Sequence, residues 1–171
     1  MWDLDQQSPN EPLTDAILAD AEARLNVRFP ADYVAALRQK NGGATIGQYF
    51  RLPKQEIPSR LVRYVDHGHI SVAGINGIGT GHESVLQTQY MTEEWQLPKG
   101  LVLLDGDGHT WIAFDYRATK NDPRIVFLES DSGDTLFVAA NFTQFFSGLV
   151  PHESLFDDDG EFIGTLPDSA A

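Results

Sequence analysis

The 171-residue chain predicts an α+β fold in a single domain. A mainly antiparallel central sheet would carry an N-terminal helix pair, one middle helix and one C-terminal helix. Three observations predict it. The first 45 residues hold two apolar patterns at helical spacing. The strands after residue 100 are separated by short Gly/Asp turns, which join antiparallel neighbours, not by the helical crossovers a parallel sheet needs. The length also falls within the roughly 100–200 residues of one domain.

The elements follow in order. Residues 1–12 are polar, carry Pro9 and Pro12, and are expected to lie loosely on the surface. Thr14 is placed to cap a helix by accepting a backbone N–H of the first turn. Ile17, Leu18, Ala21 and Leu25 then share one face, with Asp15 and Arg24 at the ends that suit the helix dipole. Pro30 breaks that helix and suits the start of the next. The second helix runs over about 31–40, with Tyr33, Ala36, Leu37 and Lys40 on one side, and Asn41-Gly42-Gly43 ends it through glycine's left-handed conformation. Residues 48–52 read as a strand closed by Pro53. Residues 61–65 fit a strand or a helix end equally, and residues 70–75 alternate as a strand.

Gly77, Gly79 and Gly81 lead into a helix expected from His82 or Glu83 to about Trp95. Residues 101–104 and 110–116 are two strands around Asp105-Gly106-Asp107-Gly108-His109. This is the strongest β signal in the chain, and it is expected in the middle of the sheet. Residues 125–128 and 135–138 are two more strands, joined by a turn at residues 131–134. Asn141 caps a last helix with an apolar stripe of Phe142, Phe145, Phe146 and Leu149. The core is thus expected over about 14–150. The acidic extension 151–171 contains Leu155, Phe156, Phe162, Ile163 and Leu166, too apolar for a free tail, so part of it should pack on the body.

Charge and composition bound the function. The net charge is −13. Residues 1–23 and 151–171 each hold six acids and no base, residues 24–63 carry +6, and residues 64–150 carry −7. Such a balance argues against nucleic acid or anionic membrane as a ligand, since phosphates would be repelled. It permits a basic protein partner. Cysteine is absent, which rules out disulfides and thiolate metal sites and suits a cytoplasmic location. The start lacks the basic-then-apolar pattern of a signal peptide, and no apolar run approaches the ~18 residues of a membrane helix.

Four chemistries can be tested by spacing. A calcium loop counted from Asp105 would place His109, Thr110 and Tyr116 at its fifth, sixth and twelfth positions, where an oxygen ligand, glycine and glutamate belong. A Gly-Asp turn accounts for this stretch without an ion. His67 and His69 would share a face if extended, and His82, His109 and the hairpin aspartates could complete a zinc shell. They more simply occupy loops. Gly77-Ile78-Gly79-Thr80-Gly81 precedes a helix but misses the dinucleotide spacing and has no Lys-Ser pair for a P-loop. No Gly-x-Ser-x-Gly elbow is present. No catalytic residue, metal ligand or cofactor is therefore assigned.

One combination is distinctive. Leu25-Asn26-Val27-Arg28-Phe29-Pro30-Ala31-Asp32-Tyr33, continuing through Leu37 to Asn41-Gly42-Gly43, resembles the opening motif of the SUKH superfamily, the Smi/Knr fold. Asn26 stands where glycine is usual and Phe29 where leucine is usual. Leu97-Pro98-Lys99-Gly100-Leu101, the Asp105 to Asp115 hairpin, Ile125 to Glu129 and Phe142 to Leu149 continue the likeness, over about residues 14–150. Leu128 and Ser130 depart from the tryptophan or histidine common near the end of that strand. The resemblance implies a non-catalytic, partner-binding protein. Bacterial members are regarded as immunity proteins that bind and block a cognate toxin, often a nuclease, while fungal relatives are scaffolds in cell-wall glucan synthesis. The implied partner here is a basic toxin domain. The candidate docking face is Asp105, Asp107, Asp115, Asp131 and Asp134, joined by Asp157, Asp158 and Asp159. A cell-wall regulator and a metal-dependent hydrolase using the histidines and hairpin aspartates stay open as alternatives, and oligomeric state is open.

Overall fold

Two antiparallel sheets carry the fold, in a computed structural model that describes residues 1–164. The expected packing of Leu166 lies outside the described residues. The helices are α1 (Asp15–Leu25), α2 (Ala31–Gln39), α3 (Thr88–Glu94) and α4 (Phe142–Ser147). The strands are β1 (Tyr49–Arg51), β2 (His69–Ser71), β3 (Leu101–Gly106), β4 (Thr110–Asp115), β5 (Arg124–Glu129), β6 (Thr135–Ala139) and β7 (Leu149–Val150). The larger sheet runs β3-β4-β5-β6 and the smaller β2-β1-β7. This is the predicted α+β class. The caps are also as predicted: Thr14 accepts from the Ile17 N–H, and Asn141 from that of Gln144.

The larger sheet has two apolar faces. Ile112 and Phe114 of β4 point into the main core, where Tyr33 of α2 stands edge-on to Phe114 and to Phe142 of α4, each at 5.1 Å. Trp111 and Ala113 point the other way, onto a smaller cluster with Leu103, Val126 and Leu128 that Leu97 and Met91 cover. The alternation of β4 is therefore apolar on both sides, as expected of a strand covered on both faces.

Several expectations are corrected. The strand at 101–106 lies at an edge, so of the strongest hairpin only β4 is interior. Backbone and side chain of Asn76 close that edge, donating to the carbonyls of Leu104 and Leu103, while the Thr88 hydroxyl accepts from the Leu103 N–H. At the opposite edge the Gln55 amide both donates to and accepts from the Phe137 backbone. Capping edges in this way leaves fewer free strand groups for unwanted pairing.

Residues 61–65 form a 3₁₀ turn at Val62–Tyr64. The expected helix from residue 82 begins later, because Ser84 stays extended and caps a 3₁₀ turn at Val85–Gln87 that leads into α3. β2 ends at Ser71, since Ile75 bridges to Gly43 and leaves the strand's line. Residues 1–12 are not loose. The indole of Trp2 is buried and donates to the Ala36 carbonyl at 3.1 Å. The buried Lys40 ammonium bonds the Asp3 carbonyl and lies 5.9 Å from the Trp2 ring.

The glycines after α2 do something other than cap it. The helix stops at Gln39 with Lys40 already extended. Gly42 and Gly43, at φ +87° and +102°, turn the chain so that it lies against the Ile75–Gly79 segment. Buried Asn41 joins the two: its amide donates to the carbonyls of Glu11 and Ile78 at 2.7 and 2.8 Å, and its Oδ1 accepts the Ile78 N–H at 2.8 Å. A Cβ on Gly77 would fall 2.3 Å from the Asn41 carbonyl oxygen.

Leaving buried backbone groups without partners costs about 1–3 kcal/mol each. Asn41→Ala should therefore lower stability by roughly 3–5 kcal/mol, measured by urea unfolding. Gly77→Ala should be comparably harmful through the clash. A loss under 1 kcal/mol for both would show that this junction is not a structural anchor.

Candidate partner-binding cleft

A cleft of about 630 Å3 opens between the N-terminal arm, the segment after β2, α3 and the tip of the β3–β4 hairpin. Gln7 and Pro9 form one lip. Met91 of α3 and Trp95, the residue that ends it, form another wall, and Asp105, Gly106 and Asp107 form the floor. Its lining includes three carboxylates, those of Glu83, Asp105 and Asp107, and no lysine or arginine among the described residues.

Each floor residue is placed by a local cause. β3 carries a bulge between Leu103 and Asp105, and a bulge re-aims the side chain that follows it. The Asp105 carboxylate, partly buried, accepts the Ala73 N–H at 2.7 Å and so ties the hairpin to the chain beyond β2. Burial is the main influence on it and outweighs its backbone hydrogen bonds, pushing its pKa up to about 6. Asp107 has the turn role anticipated for this stretch. Its Oδ1 accepts from the N–H groups of His109 and Thr110 at 2.9 and 2.8 Å. Partial burial works to raise its pKa, but the hydrogen bonds from Thr110 and His109 prevail and lower it. Gly108, at φ +94°, leaves room for Trp95: a Cβ there would sit 2.6 Å from the indole. His109 stands edge-on to the same ring at 6.0 Å.

The candidate aspartates divide into groups. Asp131 and Asp134 belong to the β5–β6 turn, at the same end of the sheet as the hairpin tip. Ser130 binds the two together, its N–H donating to the His109 carbonyl and its hydroxyl to that of Gly108. Asp105, Asp107, Asp131 and Asp134 thus share one end. Asp115 is at the opposite end of β4 and buried, with Arg117 Nε at 2.7 Å and Arg124 Nη2 at 2.9 Å. Burial alone would raise its pKa, but the hydrogen bonds from those two arginines bring it down to about 2. It serves the sheet, not the exposed face. Asp157, Asp158 and Asp159 form a separate exposed turn, closed by Asp157 accepting from the N–H groups of Asp159 and Glu161. That turn follows Phe156 and precedes Phe162, whose ring stacks on His67 at 4.1 Å.

The histidines do not gather. His67 and Gly68 take positive φ, so the extended geometry that would align His67 with His69 is not adopted. His82 faces the cleft and His109 packs on Trp95. Among the described residues, no three His, Asp or Glu side chains are placed to share an ion. The glycine run is equally committed: the N–H groups of Gly77, Ile78, Gly79 and Gly81 donate to Glu83, Asn41, Ser84 and Asn10. A phosphate would find those donors occupied. Sequence reasoning missed the cleft wall, because Met91 and Trp95 read only as helix positions. It also missed Glu83, whose role depends on the late start of α3.

Asp105 binds its proton more tightly when folded, so its contribution to stability is complete below its ordinary pKa of 3.8 and is lost as pH rises through about 6. Asp105→Asn should remove that slope. Relative to the parent, the variant should gain roughly 2–3 kcal/mol between pH 4 and pH 7.5, read from urea midpoints at both pH values. A pH-independent difference would show that Asp105 ionises as freely as a solvated carboxylate.

Comparison with known proteins agrees with this architecture. No curated protein matches the chain. No helix among the described residues is long and apolar enough to cross a membrane. A family model described as the SMI1 / KNR4 family (SUKH-1) matches residues 12–148. That span holds both helices of the opening pair, Asn41 with the glycine run it binds, the whole larger sheet and α4. The chain therefore belongs to the SMI1 / KNR4 family, SUKH-1.

Proposed function

We propose that the protein is a non-catalytic, immunity-type binding protein that neutralises a cognate toxin domain by steric occlusion. The partner is basic, and a nuclease with a cationic substrate groove is the class that fits. One observation carries the reading. The cleft lining supplies three carboxylates and, among the described residues, no lysine or arginine, at the same end of the sheet as Asp131 and Asp134. Complementary charge of this kind speeds encounter and selects the partner more than it adds affinity. Trp95, 37% exposed, lines this cleft, and Trp is enriched among residues that dominate binding energy. Family membership supports the absence of a catalytic role, and a cytoplasmic location would suit a protein that meets its toxin before release.

The test is co-expression with any toxin domain that a neighbouring gene encodes. Growth should be rescued and a stable complex isolated. Asp107→Lys combined with Asp131→Lys should slow association by about tenfold or more at low salt, and the difference should shrink at high salt. A neighbouring toxin that is neither bound nor neutralised would remove the proposal.

A further inference from the structure

We infer that the cleft is the seat for one arginine side chain, presented by an extended segment of the partner protein. The inference rests on the protein-binding reading and gives it a chemistry.

The larger sheet withdraws three carboxylates from solvent. Asp115 receives Arg117 and Arg124, and Glu129 receives Arg63 at 3.1 Å. Asp105 forms no ion pair among the described residues, and no lysine or arginine lines the cleft above it. The chain gives a counter-charge to two of the three and leaves the third facing an open cleft. A carboxylate in that position favours a cation from outside, since an opposite charge nearby stabilises its ionised form. The wall specifies which cation. The Trp95 ring packs against Gly108 and the Trp111 ring against Gly106, and both rings line the cleft with Met91. A guanidinium stacks on aromatic faces and pairs with carboxylates through a planar fork, which an ammonium does not. The volume of about 630 Å3 lies within the ~300–1,000 Å3 of ligand pockets, enough for the side chain and flanking backbone.

The titratable groups facing Asp105 are few. Asp107 comes from the hairpin, with His109 next to it outside the lining, and His82 and Glu83 come from the loop before α3. The N-terminal lip, the segment after β2 and the cleft face of α3 contribute none. Acid neutralises the Asp105 carboxylate, which acts against a bound cation.

The probe is the full chain, ¹⁵N-labelled and titrated with blocked Gly-Arg-Gly, and with its citrulline counterpart, which has nearly the same shape and no charge. The arginine peptide should saturate and shift Ala73, Gly74, Gly106, Gly108 and the Trp95 indole. The citrulline peptide should not. Asp105→Asn should weaken binding about tenfold, and Trp95→Ala should weaken it without changing its pH dependence. Binding to the parent should fall about tenfold from pH 7.5 to pH 5, the loss of ionised carboxylate expected for a pKa near 6. Asp105→Asn should flatten that profile. Equal binding of citrulline, shifts centred on the Asp157 turn, or an unaltered affinity in Asp105→Asn would overturn the inference. A toxin complex indifferent to Asp105→Asn and Trp95→Ala would overturn the inference and leave the immunity reading standing. A cleft that takes the arginine peptide in a protein that neutralises no toxin would do the reverse.

Discussion

Asn41 is the constraint on which the architecture depends. Its side chain binds Glu11 and Ile78, and its carbonyl accepts from Ser8 and Asn10, so the N-terminal arm, the end of α2 and the glycine run meet at one residue. Asn10 extends the junction to Glu83 and Gly81. The amides are buried, and an unmade hydrogen bond there would cost more than a made one contributes. The segments must therefore approach closely and in one register. Small residues make this possible: Gly42 lies against Gly77, and Gly79 against Asn10, at distances no Cβ would tolerate. The cleft is built on this junction, since the arm and the loop before α3 are both held by it.

Three aspartates of the same hairpin meet three environments. Asp107 satisfies the turn's N–H groups. Asp115 is neutralised by arginines of the following loop and of β5. Asp105 is withdrawn from solvent with backbone donors alone. Among the described residues no cation comes to Asp105, although burial raises the cost of its charge. A bulge of one residue in β3 and a turn of positive φ at Gly108 put it on a floor with an aromatic wall beside it. The distinction between a structural and a binding carboxylate is therefore a matter of which cations the fold delivers to it.

Local signals are legible in the sequence. Thr14 and Asn141 cap because a short side-chain oxygen beside a helical pattern has a nearby N–H to accept. The tight Gly/Asp turns imposed antiparallel pairing on β3, β4, β5 and β6. Where the reading failed, a distant residue had intervened. Residues 1–12 look polar and loose until Trp2 finds Ala36 and Lys40 finds Asp3. The helix at residue 82 starts late because Gly77 and Ser84 pair across the glycine run. β3 was expected inside the sheet, but Asn76 takes the place of a further strand at its edge.

The sequence by itself determined the class of fold, the hairpins, most helix ends, the acidic balance and the family, because each is written in spacing or composition over a few residues. The tertiary structure decided which carboxylates remain available. Asp105, Asp115 and Glu129 are alike in sequence as acids in strands, and differ only in what comes to meet them: Arg117 from the following loop, Arg124 across the β4–β5 turn, Arg63 from 66 residues away, and nothing cationic at Asp105 among the described residues. Charge acts through space while sequence orders along the chain, so only the folded arrangement separates an acid that holds the sheet together from one that faces an empty cleft.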